Sequence, residues 1–238
     1  MYPWLSRTEL LLGEENLERL KKAHVLIVGL GGVGGYAAEQ ICRAGIGKLT
    51  IVDGDVVDIT NKNRQLLALN STVGKAKVHI LKERLLDINP ELEIRTIDYF
   101  LMANMMEELL KEEFDYVVDA IDTLDPKANL ILNAVKNNHK IVSSMGAGGR
   151  FNIEQIRIAD ISKTHNCYLA RAVRKRLHRE GIRKGVKVVF SNEMVEKKYV
   201  VREEGQNKIS NVGTISYMPA VFGCLCAQTV ITDIIEID

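Results

Sequence analysis

Residues 24–55 read HVLIVGLGGVGGYAAEQICRAGIGKLTIVDGD. A short β-branched run, a glycine cluster, a breaker-free stretch and a second apolar run together constrain this part of the chain to a β-α-β unit. Residues 25–28, Val-Leu-Ile-Val, have the length and branching of a buried parallel strand, and glycines follow at Gly29, Gly31, Gly32, Gly34 and Gly35. A helix is expected from Tyr36 through Cys42, with Gly45 as the first breaker, and Lys48–Val52 reads as the second strand, ending at Asp53. Gly29-x-Gly31-x-x-Gly34 brings bare backbone up to a helix start, where N–H groups and the partial positive charge of the helix attract phosphate. Asp53 lies 22 residues beyond Gly31, where a strand-end carboxylate can accept ribose hydroxyls. The pattern fits ATP and a dinucleotide equally well, and a tight strand-to-helix turn without a ligand is the bland alternative.

The remainder of the chain continues the alternation. A helix opens at Gly74-Lys75-Ala76-Lys77 and runs to about residue 90, with Val78, Leu81, Leu85 and Ile88 spaced by three and four. A strand at 93–97, a helix at 102–111, a strand at 115–122 ending on Asp122, a helix from Pro126 to about residue 138 and a strand at 140–144 complete the first part. The expected fold is α/β, a Rossmann-like and mostly parallel sheet with helices on both faces. Beyond Arg150 the pattern changes. Residues 151–158 alternate like an antiparallel strand, Tyr168–Arg179 is a basic helix, 186–191 is a strand, 202–211 reads as a mobile polar loop and 219–235 is a final apolar helix. The 238 residues suit one domain, with a nucleotide-binding half at 1–149 and a basic half at 150–238.

Charge distribution bears on partners. The chain carries a net +1, but residues 150–198 hold 13 Lys or Arg against 5 Asp or Glu, a local excess of +8 that leaves −7 elsewhere. Such a block favours a polyanion, with a solvated face as the alternative. The apolar stretches are interrupted by glycine or charge, and Met1-Tyr2-Pro3-Trp4 lacks the layout of a signal peptide, so a cytoplasmic protein with no membrane association is expected. Cys42, Cys167, Cys224 and Cys226 include no CxxC pair, which argues against a structural zinc site or a disulfide framework. The five histidines show no ligand spacing.

Three features surround the glycine loop: Asn61-x-x-Arg64-Gln65 behind the second strand, Gly74-x-x-Lys77 at a helix start, and Asp122. With Gly29-Leu30-Gly31-Gly32-Val33-Gly34, they resemble the adenylating superfamily of ThiF, MoeB and the ubiquitin-activating enzymes. The resemblance implies that Gly29, Gly31, Gly32, Gly34, Asp53, Asp55, Asn61, Arg64, Gln65 and Lys77 bind ATP, with Arg64 and Lys77 on its phosphates and Asp122 on magnesium. It also implies that Arg7 reaches a partner subunit's site, making a homodimer. Chemically the set is apt: a carboxylate attacking the α-phosphate of ATP brings anions together, so catalysis depends on positioning and on cations at the phosphates. Taken singly, Arg64 could instead pair with Asp55 or Asp58, Lys77 could be solvated, and Asp122 could cap the helix near Pro126.

Within that superfamily, Ala147-Gly148-Gly149, Asp160-Ile161-Ser162-Lys163-Thr164, Leu169-Ala170-Arg171 and Val188-Val189-Phe190-Ser191-Asn192-Glu193 resemble the tRNA threonylcarbamoyladenosine dehydratases. Asn166-Cys167-Tyr168-Leu169 departs from that branch, where a proline is expected before the leucine. The resemblance implies ATP-dependent cyclising dehydration of threonylcarbamoyladenosine in tRNA through an acyl-adenylate, with release of AMP and pyrophosphate. On this reading Arg171, Arg174, Lys175, Arg176 and Arg179 contact tRNA phosphates. Adenylation of the terminal glycine of a ubiquitin-like sulfur-carrier protein is the alternative, with an NAD-binding oxidoreductase or sensor behind it. The sequence leaves open a monovalent cation near the nucleotide and sulfur-transfer partner proteins. Cys167 lies in a basic stretch that would favour thiolate, although intramolecular ring closure needs no thiol. Cys224 and Cys226 are expected to be packing residues on different sides of their helix.

Overall fold

The computed structural model describes residues 3–202 and 210–237. Its centre is a seven-stranded sheet built from β1 (His24–Val28), β2 (Lys48–Val52), β3 (Glu93–Ile97), β4 (Tyr116–Asp119), β5 (Ile141–Ser144), β6 (Ile156–Asp160) and β7 (Lys187–Ser191). The spatial order is β3-β2-β1-β4-β5-β7-β6, and only β6 runs antiparallel, against β7. Residues 25–28 of β1 and 116–118 of β4 are buried on both faces and read as apolar runs because neither side meets water. The chain reverses its direction of winding between β1 and β4, and in open α/β sheets the crevice at such a switch point receives ligands.

Two apolar layers flank the sheet. On one face lie α2 (Glu14–Lys22), α3 (Gly34–Arg43), α4 (Lys77–Ile88) and α8 (Tyr217–Ile234), with Leu20, Ile41, Leu81, Leu85, Phe222 and Val230 in a single core cluster. On the other lie α5 (Ala103–Leu109), α6 (Leu124–Lys136) and α7 (Tyr168–Arg179), with Met106, Leu130, Ile131, Val173 and Leu177 buried beneath them. The remaining helix, α1 (Ser6–Leu12), packs on α2.

α8 is long and apolar enough, by length and composition, to cross a membrane, which corrects the expectation that no stretch approaches that size. It packs as a core helix: Met218, Phe222, Cys226, Ala227 and Val230 are buried. It approaches α3 so closely that a Cβ on Gly223 would lie 2.5 Å from the Val33 carbonyl oxygen.

Several boundaries differ from those read in the sequence, each for a local reason. β4 stops at Asp119 rather than Asp122, because the Asp119 carboxylate accepts the Ile121 N–H (3.0 Å) and curls the chain off the sheet. The alternating run at 151–158 begins as a 3-10 turn, Ile153–Gln155, capped by the Asn152 side chain accepting from Glu154 N (2.8 Å), and β6 starts only at Ile156. α4 starts at Lys77 because Gly74 and Lys75 bond back to Val57. α8 begins at Tyr217, with Pro219 inside its first turn, where a missing N–H costs nothing. β8 (Val200–Arg202) and β9 (Ser210–Val212) pair antiparallel at the two ends of the stretch 202–211 expected to be a loop; residues 203–209 lie outside the described residues.

Candidate nucleotide site

The carboxyl ends of β1, β2 and β4 converge on the glycine loop. Gly29 leaves β1 with φ +89°, and a Cβ there would meet the Ala120 carbonyl oxygen at 2.8 Å. At Gly34 a Cβ would stand 1.7 Å from the Gly29 carbonyl oxygen, and at Gly32 it would stand 2.9 Å from Pro219 Cβ. These three glycines are therefore required by the packing of strand, helix start and α8. Gly31 differs: only the Gln65 amide nitrogen comes near its Cβ position, at 3.6 Å. The loop is open at Gly31, and Val33, the N-cap of α3, provides no side-chain cap for the first amides of that helix. Gln65 is buried, and its Oε1 has no hydrogen-bond partner among the described residues. A buried orphan acceptor beside an open glycine is what a site built for a polar ligand would leave.

Asp53 holds two backbone segments together. Its Oδ2 accepts the Leu30 N–H (2.6 Å) and its Oδ1 the Asp55 N–H (2.8 Å), so one carboxylate ties the glycine loop to the end of β2. Burial pushes its pKa above the ordinary aspartate value despite the Lys77 charge and the two backbone donors. Lys77 is buried at the start of α4 and its Nζ lies 2.8 Å from Asp55 Oδ2, whose side chain is half exposed. Lys77 is thus neither solvated nor free. An aspartate holds it at the crevice, and an incoming phosphate can compete for it. Arg64 bonds the Thr60 carbonyl (3.2 Å) and Asn63 Oδ1 (2.8 Å) rather than Asp55 or Asp58. Asn61 is committed to a capping box, its Oδ1 accepting from Asp58 N (3.2 Å).

Asp122 is exposed in the turn between β4 and α6. Among the described residues no group of three or more His, Cys, Asp or Glu is placed to hold a metal ion. A magnesium ion at Asp122 would need its other oxygens from phosphate and water, the arrangement this ion favours. Arg7 is exposed on α1, and among the described residues it bonds none of the groups around the glycine loop.

Beneath that turn lies a network with no recognised sequence signal. Asp119 and Lys127 are both fully buried and pair at 2.6 Å. Lys127 Nζ also donates to Ser143 Oγ (3.2 Å) and the Ser144 carbonyl (2.8 Å), and Ser143 Oγ donates to Asp119. Removing one member would strand a buried charge, which costs about 3–5 kcal/mol. The pair spans eight residues across a turn, a spacing that belongs to no motif. The sequence hint is two serines ending an otherwise apolar strand.

The basic helix forms a stripe, with corrections. Arg171, Arg174, Lys175, His178 and Arg179 line a shallow hollow of about 480 Å³. Arg174 is tethered to Thr164, donating to its carbonyl (2.9 Å) and its hydroxyl. Arg176 leaves the stripe and pairs with Asp125 at 3.0 Å. Arg150, which opens the basic block, is buried and donates to the carbonyls of Gly146, Gly148 and Asn166, so it adds nothing to the cationic surface.

All four cysteines are free. Cys167 is buried, and its sulfur caps α7 by accepting from Ala170 N (3.5 Å). Burial pushes Cys42 and Cys226 up to about 12. Cys224 is exposed, unlike the packing residue expected, although partial desolvation still raises its pKa.

A doubly wound sheet with a glycine loop at its switch point is the frame of a nucleotide-binding enzyme. The chain belongs to the ThiF family, whose model matches residues 5–238. Among the similar proteins, the tRNA threonylcarbamoyladenosine dehydratase of Bacillus subtilis is 40% identical over 242 residues, covering 97% of this chain and 94% of that protein. Its Escherichia coli counterpart is 40% identical over 193 residues, 78% of this chain and 72% of that protein. The crystal structure of the E. coli enzyme, TcdA, in complex with ATP superposes with a TM-score of 0.90 at 34% identity, covering 98% of this chain and 93% of that one.

Proposed function

We propose that this protein is an ATP-dependent tRNA threonylcarbamoyladenosine dehydratase. The observation that supports the reading is the open Gly31 at the carboxyl end of β1, with Lys77 paired to Asp55 behind β2, Arg64, whose carbonyl oxygen comes 3.4 Å from a Cβ position at Gly32, and the exposed Asp122 behind β4. In this reading the threonine carboxylate of the modified adenosine attacks the α-phosphate of ATP, and pyrophosphate leaves. The carbamoyl group of the same modification then attacks the activated carbonyl, loses a proton and expels AMP, so the ring closes with net loss of one water.

Each residue has a physical task. The backbone around the open Gly31 meets phosphate oxygens at the start of α3; Lys77 turns from Asp55 toward the triphosphate; Arg64 lies on the neighbouring loop to meet the charge that grows on the leaving pyrophosphate. Asp122 would hold magnesium, which supplies Lewis-acid stabilisation of the phosphates when bound. Asp53 fixes the loop and keeps lone pairs for the ribose. Arg171, Lys175 and Arg179 bind tRNA phosphates, with Arg174 in a supporting place. Arg7 completes the site of a second copy in a homodimer. Ring closure within the substrate needs no protein thiol, which suits the buried Cys167. The protein acts in the cytoplasm, where its tRNA substrate is found. The test is incubation with ATP, magnesium and threonylcarbamoylated tRNA, followed by mass analysis of the nucleosides. A modified nucleoside one water lighter, formed only with ATP, is expected; an unchanged nucleoside would refute the reading.

A further inference from the structure

The Ala120–Asp122 turn leaves the sheet under the control of a buried charge network. Asp119 uses one oxygen, Oδ1, to accept the Ile121 N–H at 3.0 Å, and the other, Oδ2, to receive Lys127 and Ser143. All three protons of the Lys127 ammonium are engaged, by Asp119, Ser143 and the Ser144 carbonyl, so the carboxylate is held in one orientation. The same turn supports the glycine loop. The Ala120 carbonyl abuts Gly29, Ala120 Cβ lies 3.2 Å from where a Gly34 Cβ would stand, and Ala120 N donates to the Val28 carbonyl (2.9 Å). A full ion pair at zero exposure is an expensive way to fill a core, since a hydrophobic pair of similar volume is often as stable. What the ion pair provides, and apolar side chains cannot, is a fixed acceptor for the Ile121 amide.

We infer that Asp119, held by Lys127 and Ser143, is a positioning residue that sets the turn carrying Asp122 and thereby the site's use of a divalent cation. Asp119 is fully buried, so it acts through the turn rather than at the surface of the crevice. The inference rests on the adenylating reading of the site above.

Single substitutions would strand a buried charge and can fail by unfolding, so the test uses two uncharged double variants. D119N/K127M keeps an acceptor for Ile121; D119L/K127M removes it. Amide hydrogen exchange at Ile121 is measured in nucleotide-free protein, and magnesium dependence by ATP–pyrophosphate exchange with threonylcarbamoylated tRNA. Far-UV spectra of the two variants are expected to agree, with D119L/K127M melting somewhat lower for its unpaired Ile121 amide. D119N/K127M should retain protection at Ile121 and a magnesium requirement close to wild type. D119L/K127M should lose that protection and need about 10–100-fold more magnesium for half-maximal exchange, the range seen when outer-sphere partners of a metal site are removed. Unchanged protection and magnesium dependence in D119L/K127M, or equal impairment of both variants, would overturn the inference. Absence of exchange in the wild-type enzyme would instead overturn the adenylating reading, and the inference with it.

Discussion

Replacing Gly31 by alanine separates a glycine kept for its ligand from glycines kept for the fold. The added Cβ meets only the Gln65 amide nitrogen at 3.6 Å, an ordinary van der Waals distance, and Gly31 is not among the residues with positive φ. The folded state should therefore accept it. Lost unfolded-chain entropy would stabilise the protein by about 0.4–1 kcal/mol. At about 2–4 °C per kcal/mol for a chain of this size, the thermal midpoint should stay level or rise by roughly 1–4 °C. ATP should suffer, because the methyl group occupies the space through which phosphate approaches the backbone. Loss of one hydrogen bond to a charged group, about 1.5–3 kcal/mol, corresponds to roughly 10–100-fold weaker ATP. Gly34→Ala provides the contrast: its Cβ would stand 1.7 Å from the Gly29 carbonyl, so the protein itself should be destabilised. Thermal melting, paired with the ATP dependence of pyrophosphate exchange, reads both effects. Gly31→Ala with wild-type ATP dependence would refute the assignment of the open loop to phosphate.

Three further outcomes are expected. Neutralising Arg171, Lys175 and Arg179 should weaken tRNA binding and reduce the slope of log affinity against log salt by about one per residue, whereas Arg176→Gln, which breaks only the pair with Asp125, should leave that slope unchanged in a filter-binding titration. Cys167→Ala should retain substantial cyclisation with a small loss of stability; complete loss of activity with ATP binding intact would show a covalent role. Glu39 is buried between Arg43 (2.9 Å) and Arg84 (2.5 Å). Burial pushes its pKa up, but the two guanidinium bonds outweigh that and hold it below the ordinary value. A depressed carboxyl pKa contributes stability that is present above the unfolded value of 4.5 and is lost as pH falls through the folded one. Glu39→Gln should therefore cost about 1.5–3 kcal/mol at neutral pH, with the gap to wild type narrowing as pH falls below the unfolded value of 4.5 in denaturant titrations.

The elements legible in the sequence were those whose pattern depends on local physics. β1 and β2 announced themselves as β-branched runs, α3 by its freedom from breakers, and α7 by its basic face, because burial on one or both sides imposes a period. What the glycines do was only half legible. The spacing pointed to a nucleotide, yet it could not distinguish Gly31, which faces open space, from Gly29 and Gly34, which are fixed by carbonyl contacts across the fold. Asp53 was read as a ribose acceptor, while its backbone bonds to Leu30 and Asp55 depend on a loop path that sequence does not specify. That Arg176 faces Asp125 rather than the Arg171 stripe follows from helix geometry, since five residues beyond Arg171 is about 140° around a helix. The Asp119–Lys127 pair was beyond reach: it joins a strand end to a helix turn only after both have docked on β5, and no periodicity encodes that.

The central claim is that this chain activates a carboxylate on modified tRNA as an adenylate. ATP–pyrophosphate exchange with purified protein tests it most directly, comparing threonylcarbamoylated tRNA, unmodified tRNA and a carrier protein ending in Gly-Gly. Exchange with the modified tRNA alone is expected. Exchange with the carrier protein alone would keep the ATP site and contradict the tRNA assignment, and exchange with none of the three would contradict adenylation itself.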